Sequence, residues 1–73
     1  MRVEIRTTKY EFSHGKRPKG TGGWAFLVML GRSEVETLWA PSGMSLTDAK
    51  AWAKQECAER FPQEPNIVLE VAP

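Results

Sequence analysis

One cysteine and one histidine are all that the chain has of the two commonest zinc-binding residue types. Cys57 alone forms no internal disulfide, and Cys57 with His14 cannot supply the three or four protein ligands of an ordinary zinc site. A nucleophilic triad is equally out of reach, because it needs a Ser or Cys beside a base that a third group orients, and His14 sits in a glycine-rich segment. The glycines spell neither G-x-G-x-x-G nor G-x-x-x-x-G-K-[ST], and they lead into a strand instead of a helix. Carboxylates at Glu4, Glu11, Asp48 and Glu70 fall on different predicted elements and read as solvated surface acids. The expectation is therefore a non-enzyme with no catalytic residues, no metal ligands and no cofactor. Long apolar runs are missing as well: the longest, Trp24 to Leu30, falls far below the ~20 residues that cross a bilayer. With no basic-then-apolar leader either, no membrane association and a reducing, cytoplasmic location are expected.

What is present is small. Seventy-three residues allow one hydrophobic core, so residues 1–73 are read as a single domain. A domain of this size buries only about 60 % of its unfolded surface and carries no visible staple, which predicts a homodimer or a partner protein. Net charge is +1, but it is unevenly spread. Residues 1–20 hold Arg2, Arg6, Lys9, Lys16, Arg17 and Lys19 against Glu4 and Glu11, so the N-terminal part is basic and the remainder acidic.

Val3 and Ile5 alternate with charged neighbours as in a half-buried strand, and Tyr10 and Phe12 continue the alternation on the opposite parity. Either a β-bulge over Thr7, Thr8 and Lys9 absorbs that shift, or the strand ends at Thr7. Ser13 to Gly23 reads as a loop, since Pro18 lacks a backbone donor and four glycines favour irregular backbone. Trp24 to Leu30 is apolar on both parities, the pattern of a central strand covered on both faces. A turn over Gly31 to Ser33 leads to a second hairpin arm, Glu34 to Ala40, with Val35, Thr37 and Trp39 on one side. Ser45 to Asp48 has capping-box spacing, with Met44 placed as a hydrophobic staple on Ala49. Ala49, Trp52, Ala53, Cys57 and Phe61 then form one apolar helical stripe that Pro62 ends. Ile67, Leu69 and Val71 share a face of a final strand. The order β-β-β-α-β predicts an α+β domain, one helix packed on a four-stranded, mostly antiparallel sheet.

The candidate binding residues are His14, Lys16, Arg17, Lys19 and Trp24. Three cations within four residues, followed by G-T-G-G-W, suit a phosphate backbone: the cations attract it, the glycines permit close approach, and an aromatic can stack on a base. The bland readings stand beside this one. His14 serves as a solvated loop residue, Trp24, Tyr10, Phe12 and Trp39 as core, and Cys57 as a small buried packing residue. The expected partner is nucleic acid, with a protein-binding regulator or inhibitor that docks on an acidic protein surface as the alternative.

The segment from Thr8 to Phe26, T-K-Y-E-F-S-H-G-K-R-P-K-G-T-G-G-W-A-F, resembles a motif of small uncharacterised proteins from bacteria, phages and plasmids, which implies a mobile-element origin. The β-β-β-α-β order and the Gly22-Gly-Trp24 strand entry are similar at fold level to ribonuclease H. That family's first catalytic aspartate falls near Thr8 and its last near Val71 or Ala72, and only Asp48 lies near its helical glutamate, so the resemblance implies an inactive relative. HicB-type antitoxins resemble a degraded version of that fold. Their G-G-Y strand and T-L-E-E-A helix start are similar to Gly22-Gly-Trp24 and Ser45-Leu-Thr-Asp-Ala49, while Ala40 to Gly43 replaces their L-P-G-C segment.

Overall fold

The structure, a computed structural model, describes residues 2–72. In chain order the elements are β1 (Arg2–Arg6), α1 (Thr8–His14), β2 (Thr21–Gly22), β3 (Ala25–Leu30), β4 (Ser33–Trp39), β5 (Met44–Ser45), α2 (Leu46–Arg60) and β6 (Asn66–Val71). Four strands form one sheet in the spatial order β1, β6, β3, β4, and β2 pairs with β5 in a separate two-stranded ribbon. The chain is an α+β domain, as its pattern predicts. β3 runs antiparallel to both β4 and β6, and β1 runs parallel to β6.

The core lies between one face of this sheet and α2. Phe26 and Val28 of β3, Leu38 of β4, and Ile67, Leu69 and Val71 of β6 are all buried, together with Leu46, Ala49, Ala53 and Cys57 of α2. Ala49, Ala53 and Cys57 recur every four residues, so small side chains line the buried stripe and let the helix approach the strands closely. Trp52 and Phe61 pack at its margin. The helix begins where the capping pattern places it, since the Asp48 backbone N–H donates to Ser45 Oγ at 3.1 Å. Near its other end Arg60 pairs with Glu56 and reaches across to Glu36 on β4.

Several local expectations are overturned. Of the two alternatives for the end of β1, the bulge is excluded and the early end holds: the strand stops at Arg6, just before Thr7, and Thr8–His14, Tyr10 and Phe12 included, is a helix instead of further strand. Gly15 supplies the reason, with φ +69° and its N–H donating to the Glu11 carbonyl at 2.8 Å, a left-handed helix end that no other residue type adopts as cheaply. Ser13 to Gly23 is therefore not one loop, because Ser13 and His14 finish α1 while Thr21 and Gly22 pair with Ser45 and Met44. On β4 the inward residue is Leu38, opposite Phe26, and Trp39 is 75 % exposed instead of buried. A register shift opposite Val28 and Met29 leaves Val35 as the unpaired extra residue of that strand.

β3 occupies the interior of the sheet as expected, yet only one of its faces is fully covered. Leu27 and Met29 remain half-buried on the side away from α2. α1 packs against β6 on the sheet. Glu70, read from the sequence as a solvated acid, is 7 % exposed and shares a groove with Arg6, Thr8 and Lys9. Its burial follows from α1 folding back over the end of β6, which a strand in that position would not have done.

Candidate functional site

The basic segment is held at both ends and in the middle. Gly15 ends α1 on one side. Pro18 is buried, so the ring inserts between the exposed Arg17 and Lys19 as an anchor. Beyond it the Gly20 carbonyl accepts the Leu46 N–H at 3.0 Å, and Thr21–Gly22 pairs with Met44–Ser45 at the start of α2. The connection is thus a fixed platform stitched to the N-terminal end of the long helix, and its charged side chains stand on it facing solvent.

His14, Lys16, Arg17 and Lys19 are all exposed. None of Lys9, Lys16, Arg17 and Lys19 makes an ion pair among the described residues; the ion pairs there involve Arg6 and Arg60. Their charge faces solvent. Two shallow clefts flank the segment. One, of about 300 Å³, is lined by Tyr10, His14, Lys19, Gly22, Gly23 and Trp24, with Ala72 at its margin. The other, of about 250 Å³, brings Arg17 together with Lys50 of α2, beside Thr7 and Glu11. Glu11 is engaged by the Thr7 hydroxyl, which donates to its carboxylate.

The aromatic side chains divide by position. Tyr10 and His14, one helical turn apart on α1, stack at 4.1 Å between centroids with planes 19° apart, and Tyr10 meets Trp24 at 5.9 Å. Trp24 itself is 7 % exposed and belongs to the core, so its ring presents no open stacking face. Its buried Nε1–H has no hydrogen-bond partner among the described residues. Phe12 points the other way and is 92 % exposed. Of the aromatic residues of this region, Trp24 is therefore buried and Phe12 is the one that stands in solvent. The sequence pattern indicated neither the exposure of Phe12 nor the approach of Lys50 to Arg17, and Lys9 lines the separate groove beside Glu70. The signal for Phe12 was the helix end at Gly15, which sets Phe12 on the face opposite Tyr10 and His14. Lys50 joins only through the tertiary contact of α2 with the loop.

The remaining reactive groups lie elsewhere. Cys57 is buried under the sheet, and burial pushes its thiol above the ordinary range, with Glu36 adding to the rise, Arg60 opposing it and Glu56 adding less. Such a thiol stays protonated and unreactive. Glu4 is paired with Arg6, Asp48 is exposed at the head of α2, and no three His, Cys, Asp or Glu side chains gather as metal ligands among the described residues. No helix there is long and apolar enough to cross a membrane. No family model, curated protein or solved structure matches the chain.

Proposed function

We propose that the chain is a non-enzymatic binding module that contacts single-stranded nucleic acid through α1 and the segment after it. Lys16, Arg17 and Lys19 lie on phosphates, with Lys9 and Lys50 extending the basic surface and His14 at its edge. The observation that carries this reading is Phe12, an almost fully exposed phenyl ring in a run of cations that have no internal partner. Exposing such a ring on a small domain sacrifices burial that the core needs, and a base that stacks on it recovers that burial. The backbone that carries the cations is pinned before the ligand arrives, so less chain ordering opposes binding.

A second reading has the same surface docking on an acidic protein as a regulator or inhibitor. It is favoured by the burial of Trp24, which leaves Phe12 as the single open aromatic of the region where base-stacking platforms commonly use several. A gel-shift assay at low salt with single-stranded DNA and RNA separates the two. The nucleic-acid reading expects a shifted band that disappears when Lys16, Arg17 and Lys19 are all changed to Ala. Absence of any shift ends that reading, as does a shift that the triple variant retains.

A further inference from the structure

We infer that the free edge of β4 is a homodimer interface, in which two copies pair antiparallel about a two-fold axis through Thr37 and extend the sheet from four strands to eight. This inference is independent of the nucleic-acid reading.

The two edges of the sheet differ. β1 bears Arg2, Glu4 and Arg6 at alternate positions, and charged side chains of this kind discourage strand addition. β4 carries no Lys, Arg or Pro between Ser33 and Ala40 and exposes two apolar side chains, Val35 at 47 % and Trp39 at 75 %. Of its two acids, Glu36 is already engaged by Arg60. The backbone is available too. The Ala40 N–H donates to Trp24, so Ala40, Leu38 and Glu36 direct their hydrogen-bonding groups toward β3 and the intervening Trp39 and Thr37 direct theirs outward.

Register follows from side-chain chemistry. Centring the axis on Glu36 sets that carboxylate directly opposite its own copy, an unfavourable like-charge pair. Centring it on Thr37 sets Trp39 opposite Val35 of the second copy and Val35 opposite its Trp39, Glu36 opposite Leu38, and Glu34 opposite Ala40. Both exposed apolar residues then find an aromatic-to-β-branched partner, and no two acids meet. The bulge at Val35 limits regular pairing to a short stretch, so the interface is small and its affinity is of micromolar order.

Sedimentation or light scattering at about 100 μM, well above a micromolar Kd, reads the mass directly. Twice the 8.2 kDa of one chain is expected. The Trp39→Lys variant should run as a monomer with an unchanged circular dichroism spectrum, because its side chain is not part of the core. The Thr37→Cys variant should cross-link to itself under mild oxidation, since hydrogen-bonded antiparallel partners lie about 5.5 Å apart at Cα, within disulfide reach. The Lys54→Cys variant on exposed α2 should not. A wild-type chain that stays monomeric at this concentration overturns the inference. So does a dimer that survives Trp39→Lys and leaves Thr37→Cys uncross-linked.

Discussion

At the scale of single residues, exposure separates aromatic side chains that composition cannot, with Tyr10, Trp52 and Phe61 half-buried between two extremes. Phe26 is fully buried and Trp24 nearly so, while Phe12 and Trp39 stand in solvent. Replacing Phe12 by Ala removes little that holds the fold together, so thermal unfolding should stay within about 0.5 kcal/mol of wild type. Binding of a single strand should weaken by about 1–3 kcal/mol if the ring carries a base. Circular dichroism melting and anisotropy on the same variant check both halves, and a large loss of stability would place the ring in the core. Cys57 offers a second test. A thiol whose value is raised by folding adds stability that is complete below the ordinary thiol range and is lost as pH climbs through the raised value. Unfolding titrations should show stability level to about pH 8 and falling above it, and a Cys57→Ala variant should flatten that fall relative to its own lower baseline. The burial of Cys57 was legible from its place on the helical stripe. That of Glu70 was not, because it depends on where α1 comes to rest.

At the scale of elements, α2 was readable in full and α1 was missed for a definable reason. The capping pattern at Ser45, the stripe of small apolar residues and Pro62 all agree on one helix, and local signals that agree are the ones a sequence expresses openly. Between Thr8 and His14 the period is ambiguous: Tyr10 and Phe12 alternate as in a strand, while Tyr10 and His14 are spaced as in a helix. Gly15 decides between them by supplying the left-handed end. The cap of α2 has a further duty, since Ser45 also belongs to the ribbon that pins the basic segment. Ser45→Ala should lower stability by about 1 kcal/mol. For a domain this size that corresponds to a drop of roughly 4–8 °C in Tm, measured by thermal denaturation.

At the scale of the whole molecule, the α+β class and the helix-on-sheet core follow from periodicity, but the spatial order of strands does not. β6 inserts between β1 and β3, a long-range choice that places the last strand in the middle of the sheet and leaves β4 at an edge. The candidate site shows the same division. The three adjacent cations were plain in the sequence, whereas the exposed Phe12 and the arrival of Lys50 depend on the packing of α1 and α2. Arg17 and Lys50 share one cleft beside the basic loop, and acidic residues outnumber basic ones in the chain beyond residue 20. The central claim, that this loop meets phosphates, is tested most directly by anisotropy of a labelled single-stranded oligonucleotide across about 50–200 mM salt. The expected result is a logarithmic affinity that falls linearly with the logarithm of salt concentration. The joint Lys16→Ala, Arg17→Ala and Lys19→Ala variant should lose about two from the steepness of that line, roughly 0.7 for each phosphate contact removed. No binding at the lowest salt, or a slope that the triple variant leaves unchanged, would contradict it.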